Sequence, residues 1–513
     1  MKIQANTVRL FKTVHGWTGL VSGLLLFLAF YAGALTIFRE DIAAWQNGAP
    51  HQIGEALLPD VRPLVERVID RHPEARQGLM INLPDGHESG LEAVWRQAGE
   101  VRRARLSADG GLVETDDQAG RLSVVIDELH RTAGIPGLPG ELVMGTVALL
   151  YGLALVSGII LYLPAIWRNL FALRLGKNLK LMWRDAHNGI GVLSLPFHVL
   201  FALTGAVMCI HDPLLAGMNA LIYGDQGKSL LMSVASPAGR PVPSGETAQM
   251  LSAGEMVAAA RERIPGFQPQ HLIFMSPGDR NGIVTLMGDQ PGVLAHSARV
   301  AMSSVTGEVL VVETSGDRPS GMTALSGLAA LHFGDYGGAP VAWVYFALGM
   351  AGAFLFYSGN LLWLESRRKR QGATGAWQHR ALARLTVGFC LGSCAAFSLL
   401  FIVARFPAGS FGDVGLLPVF WTGVALAIGW SAFRPPVKGA RDLLIVAAAA
   451  SAGIPLAYWL TEGHLAWSGV DLTAVAAALF FLALARLTAH RSKKTLGASV
   501  WDAGEVEALV KAR

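Results

Sequence analysis

His15-Gly16-Trp17-Thr18-Gly19 opens an apolar run, and the arrangement returns as His187-Asn188-Gly189-Ile190-Gly191. In each copy a glycine follows eighteen positions after the histidine, Gly33 in the first and Gly205 in the second. An acidic residue comes next, Glu40 or Asp212. A further histidine recurs downstream as Leu129-His130 and Leu331-His332. A Gly-rich stretch follows each, then an apolar run ending in Ser157-Gly158 or Ser358-Gly359. One unit therefore occurs twice, with two histidines at matching edges of apolar segments. Four such histidines point to a metal or haem site shared between the halves.

The chain around this repeat has 513 residues, of which 52% are hydrophobic and 16% charged. Its mean hydropathy is +0.40. That balance excludes an ordinary soluble protein and indicates a polytopic membrane protein. Eight runs reach the roughly 20 residues needed to cross a bilayer. They are 16–38, 142–164, 188–210, 341–364, 383–404, 415–433, 442–460 and 469–487. Lys2, Arg9 and Lys12 precede the first; Arg168, Arg174, Lys177, Lys180 and Arg184 separate the second from the third. Arg367–Arg370, Arg434, Lys438, Arg441, Arg491, Lys493 and Lys494 occupy later loops of the same side. By the positive-inside rule both termini are cytoplasmic. The net charge of +4 is thus explained by topology and calls for no nucleic-acid partner. Ala32-Gly33-Ala34 resembles a signal cleavage site, but the run is too long for a signal peptide and carries the repeated histidine, so it is expected to be retained. Cys209, Cys390 and Cys394 all fall in apolar runs, which excludes a disulfide framework.

Two segments between the runs read as small α+β modules on the outer side. In the first, Val61, Leu64, Val65 and Val68 have helical spacing, followed by strand-like stretches at Leu79–Leu83, Leu91–Gln97 and Val101–Leu106. A turn at Ala108-Asp109-Gly110-Gly111 leads into Leu112-Val113. The second repeats this with helix Glu255–Ile264, strands His271–Met275, Gly282–Met287 and Ala298–Ser303, and a turn at Val305-Thr306-Gly307-Glu308. The expected division is helix 1 in 1–39, a first module in 40–140 and helices 2 and 3 in 141–210. A second module in 211–340, helix 4 in 341–366, a C-terminal four-helix membrane domain in 367–490 and a cytoplasmic tail in 491–513 follow. Helix–module–helix is thus repeated, as a parallel repeat about an axis along the membrane normal.

Topology places His15 and His187 near the inner face and His130 and His332 near the outer face. Two imidazoles on facing helices are what a six-coordinate haem iron requires. Zinc usually recruits carboxylate or cysteine as well, so haem is the better fit. His15, Gly19 and Gly23 share one helix face and leave room for a flat macrocycle. His198 lies eleven residues beyond His187, about 16 Å deeper at the helical rise. It is an additional candidate, either ligating the outer haem or hydrogen-bonding a propionate or a neighbouring helix. Cys390 and Cys394 are better read as packing residues. No Gly-rich dinucleotide or P-loop fingerprint occurs, so electrons must be delivered by a donor.

Val14-His15-Gly16-Trp17-Thr18-Gly19, Arg184-Asp185 with His187-Asn188, Thr204-Gly205, Leu129-His130 and Leu331-His332-Phe333-Gly334 carry a resemblance. Over about residues 8–366 the chain resembles the PepSY-associated transmembrane proteins, also called iron-regulated membrane proteins, and its two outer modules resemble PepSY domains. The resemblance implies an α-helical polytopic protein of the bacterial inner membrane, with about eight transmembrane helices and two periplasmic α+β modules. Relatives include di-haem reductases of ferric siderophores. It therefore implies two b-type haems, with His15, His187, His130 and His332 as axial ligands, a periplasmic ferric siderophore as substrate, and a cytoplasmic or quinol electron donor. The alternatives are an iron or ferric-chelate permease, or a scaffold whose modules bind an envelope partner without redox chemistry. The resemblance assigns no role to the last four helices.

Overall fold

A computed structural model describes residues 5–48, 58–83, 91–107, 109–114, 122–163, 179–223, 238–367, 377–406, 415–465 and 467–494. In chain order the helices are α1 (Ala5–Thr36), α2 (Arg39–Gln46), α3 (Arg62–Arg71), α4 (Leu122–Thr132), α5 (Leu138–Tyr162), α6 (Leu179–Leu193) and α7 (Leu195–Met218). They continue as α8 (Ala253–Arg263), α9 (Ser320–Phe333), α10 (Gly338–Arg367), α11 (Trp377–Ala404), α12 (Leu416–Phe433), α13 (Pro436–Glu462) and α14 (Gly469–Lys494). The strands are β1 (Leu79–Asn82), β2 (Glu92–Gln97), β3 (Glu100–Leu106), β4 (Leu112–Glu114), β5 (Gln268–Met275), β6 (Ile283–Asp289), β7 (Ser297–Ser303) and β8 (Val309–Glu313). Among the described residues eight helical stretches are long and apolar enough to cross a membrane, which makes this a multi-pass membrane protein.

The chain divides into two compact units. One comprises Met1–Gly48, Ala119–Pro213 and Ala339–Arg513, and the other Ala49–Gln118 and Leu214–Gly338. In the second unit all eight strands form one antiparallel sheet, ordered β4-β3-β2-β1-β5-β6-β7-β8. Each sequence module supplies a four-stranded meander, and the first strand of each pairs with the other, Leu79 facing Phe274 and Ile81 facing Leu272. Alternation puts Leu79, Ile81, Trp95, Leu272, Phe274, Leu286 and Val300 on one buried face. The apolar faces of α3 (Leu64, Val65, Val68, Ile69) and α8 (Met256, Val257, Ala260) share their core. The start of α8 is fixed by a capping box between Ser252 and Glu255.

The helical unit departs from the sequence reading in two places. The third apolar run, expected over 188–210, crosses as Leu195–Ile222. A turn at Ser194 separates α6 from α7, because Pro196 lacks an N–H and its ring clashes with the preceding turn. In addition, α4 and nearly all of α2, expected within the first module at 40–140, pack with the membrane helices. Ile42 and Trp45 of α2 and Leu122, Val125, Ile126 and Leu129 of α4 join the core of α1. The added helices close on this same first copy: α11 packs on α1 and α4, α12 on α4, and α14 on α2. Arg405 fastens them. Its guanidinium donates to Trp45 O at 2.8 Å, to Gln46 O and to Thr461 Oγ1 at 2.8 Å, and pairs with Glu462. The Trp45 indole N–H donates to Asp471 Oδ1 at 2.9 Å. The tail read as cytoplasmic lies, from residue 495, outside the described residues.

Candidate functional site

His15 on α1 and His187 on α6 come together, their ring centroids 6.2 Å apart and their planes at 70°. Each ring is held from behind by the transmembrane helix of its own copy. His15 Nδ1–H donates to Ala154 O of α5 at 2.8 Å, and His187 Nδ1–H donates to Leu355 O of α10 at 3.1 Å. A carbonyl only accepts, so Nδ1 carries the proton and the lone pair is left on Nε2. The recurring Ser-Gly pairs explain themselves here. Ser157 Oγ donates to Ala154 O at 2.9 Å and Ser358 Oγ to Leu355 O at 2.9 Å, the same carbonyls the histidines use. The glycines let the rings approach: a Cβ on Gly158 would lie 3.0 Å from His15 Cε1, and one on Gly359 would lie 3.1 Å from His187 Cε1.

His130 repeats the design on α4. Its Nδ1–H donates to Ala29 O of α1 at 2.8 Å, and a Cβ on Gly33 would stand 2.8 Å from its Cε1. This accounts for Gly33 in the first copy; a Cβ on its counterpart Gly205 would meet nothing within 4 Å. His332 lies on α9 in the sheet-bearing unit, its ring 5.7 Å from Phe333, one residue before the left-handed Gly334 that ends the helix. His198 is built differently. It is fully buried, and Ser194 Oγ, which donates to Ile190 O at 2.6 Å, accepts from its Nε2–H at 2.9 Å. Tyr151 O–H donates to its Nδ1 at 2.7 Å. Both ring nitrogens are therefore engaged. Phe30, Tyr151 and Phe197 lie against its ring, and Phe356 packs on Phe30 with centroids 5.1 Å apart.

The paired histidines fit a haem. A metal sits about 2.0 Å from a ligating imidazole nitrogen, and that nitrogen lies about 1.1 Å from the ring centre. Two imidazoles in line on one metal thus have centroids about 6.3 Å apart, and two at a tetrahedral angle about 5 Å. The observed 6.2 Å matches the in-line case. Space exists beside them: a Cβ on Gly19 would meet nothing within 4 Å, and one on Gly191 only Leu355 Cδ1 at 3.5 Å. Two donors on α10 are buried without a partner, Asn360 Nδ2 and Trp363 Nε1. Asn360 faces Gly23 and Trp363 faces Gly16, with Arg367 stacked 3.6 Å from the Trp363 ring centre. An unmet buried donor costs about 1–3 kcal/mol, and the carboxylates of a haem would satisfy both. Sequence reasoning missed Asn360, Trp363, Tyr151 and Ser194. A polar side chain inside an apolar run was the available signal.

The sequence profile of the PepSY-associated TM region matches residues 12–366. An uncharacterized protein of Pseudomonas aeruginosa is 28% identical over 382 residues, covering 68% of this chain and 90% of that protein. The matched region holds all five candidate histidines and stops at the end of α10. The chain belongs to the PepSY-associated transmembrane family.

Proposed function

We propose that this is a di-haem electron-transfer protein of the bacterial inner membrane that reduces a periplasmic ferric siderophore. The observation that carries the reading is the His15–His187 pair, with ring centroids 6.2 Å apart and both Nδ1–H groups tied to backbone carbonyls. Haem b bound there supplies a reversible one-electron iron couple. The carbonyl bonds fix each ring plane and make Nε2 a better donor. Asn360 and Trp363 are positioned to hold propionates, and the apolar walls exclude water. His130, its ring held on Ala29 O in the same manner, is assigned to the outer haem with His332. His198, held by Tyr151 and Ser194, positions the aromatic packing between the two levels.

On the outer side the two α+β modules, read as PepSY-like, form the platform for the ferric chelate. Siderophores grip Fe(III) through hard oxygen donors, and Fe(II) prefers softer ones, so one-electron reduction of the substrate loosens it. A cytoplasmic or quinol donor supplies the electrons. The test is a spectrum of the purified protein, oxidised and dithionite-reduced, with pyridine haemochrome quantitation. About two b-haems per chain, falling to about one in His15→Ala or His187→Ala, supports the reading. A colourless protein from haem-replete cells would instead favour a permease or scaffold.

A further inference from the structure

We propose that an open cleft along the first half of α9 binds the anionic oxygens of an Fe(III) chelate with apolar or aromatic flanks. This rests on the function proposed above and adds where the substrate sits and what chemistry selects it. The cleft has a volume of about 600 Å³. Leu294 and Ala295 form one wall, and Ser320, Thr323, Ala324 and Gly327 of α9 form the other. Among the described residues, Arg318 is the one charged residue lining it.

Three features favour an anion there. The Arg318 side chain is only partly satisfied: Nη1 makes a long 3.5 Å contact with Ser297 Oγ, and Nη2 is buried with no partner. Second, α9 begins without a side-chain cap after Pro319. Its first backbone donors to find a carbonyl are Met322 and Thr323, both on Pro319 O. The N–H groups and positive dipole end of the helix thus lie beside the same guanidinium. Third, the nearby acids are shared with other groups, Glu313 acting on Arg299 as well as on Arg318. Glu313 sits 4.0 Å from Arg299 on β7, and Asp317 accepts from Thr314 N and Oγ1 at 2.9 and 2.6 Å. The planar guanidinium suits paired oxygens. The remaining wall is apolar, as ligand pockets generally are, and suits aromatic flanks. Gly327, at the far end of the cleft, precedes His332 by five residues, about 7.5 Å of helical rise.

The experiment uses gallium(III) tris-catecholate, an anionic, redox-inert probe, and a cationic gallium(III) trihydroxamate as comparator, with full-length detergent-solubilised protein. The wild type should bind the catecholate with an affinity that falls as salt rises. Arg318→Gln should weaken it at least about tenfold, roughly one hydrogen-bonded charge contact, with haem content and melting temperature unchanged. Ala324→Trp, which fills the cleft and keeps the charge, should weaken it similarly. Catecholate binding that is undiminished in both variants, or absent in the wild type, overturns the proposal. So does equal, equally salt-dependent binding of the cationic probe. Gallium binding needs no redox chemistry, so these outcomes stand apart from the haem assay.

Discussion

Gly158→Ala tests the histidine design most directly. The added methyl carbon would stand 3.0 Å from His15 Cε1 and 3.2 Å from Nδ1. Carbon pairs settle at about 3.5–4.0 Å, so the ring must retreat by about 0.5 Å or α5 must move. Retreat lengthens the 2.8 Å bond to Ala154 O and changes the 6.2 Å spacing to His187. Overpacking of this kind costs about 1–3 kcal/mol, and disturbing a ligand's supporting bond typically costs about 10–100-fold in metal affinity. Gly152 lies on the same helix, and a Cβ there meets nothing within 4 Å. Gly152→Ala should be neutral or slightly stabilising, since alanine is the better helix former by about 1 kcal/mol. The assay is haem stoichiometry after dilution into haem-free detergent, read with the low-spin spectrum of the oxidised protein. Gly158→Ala should lose the inner haem selectively while Gly152→Ala keeps both. Full retention with an unchanged spectrum in Gly158→Ala would refute the argument that this glycine exists to seat His15.

Three further outcomes are expected. Trp363→Phe keeps the packing and removes the buried N–H, and should shift the midpoint potential and speed haem loss at unchanged melting temperature. Arg405→Met should destabilise the helical unit by about 3 kcal/mol, as loss of a buried hydrogen-bonded charge does, seen as a fall in thermal unfolding temperature. Asp279 is held down to about 2 by the backbone N–H groups of Ser244, Asn281 and Gly245 and the Ser244 hydroxyl. A depressed carboxylate stabilises the fold above its unfolded value near 3.8 and loses that effect as pH falls through the folded value. Asp279→Asn should therefore cost about 2 kcal/mol at neutral pH, and its difference from wild type should shrink between about pH 4 and 2, measured by hydrogen exchange of residues 240–245.

Much of this architecture was legible because local pattern determines it. The apolar runs gave the spans, and strand-like stretches between turns gave β2 and β7 nearly to the residue. What pattern does not carry is partner choice. Nothing in Leu79–Leu83 announces that β1 pairs with β5 rather than ending a separate module. That depends on two edges meeting in register. Likewise α4 is amphipathic, and amphipathicity tells that Leu122, Val125, Ile126 and Leu129 are covered, not by what. The site divides the same way. His15 and His187 were found through duplication, and Ser157-Gly158 was noticed as a repeat. Its role, Ser157 bonding the Ala154 carbonyl that holds His15 and Gly158 seating the ring, depends on which helix lies alongside. The turn at Ser194 followed from Pro196, a local rule that the apolar run concealed.

The seam between β1 and β5 has a genealogical meaning. Leu79 faces Phe274 while Ile81 faces Leu272, so each strand offers the other the same alternation, read backwards. An edge that pairs with its own counterpart in this way is isologous, the arrangement by which two identical subunits close on each other. A half-length ancestor carrying two membrane helices and one meander would have assembled as a homodimer through this edge, and joining the genes would have kept the contact while freeing the halves to diverge. Co-expression of the two halves as separate chains should therefore rebuild the sheet, and either half alone should expose its first strand and seek another copy of itself.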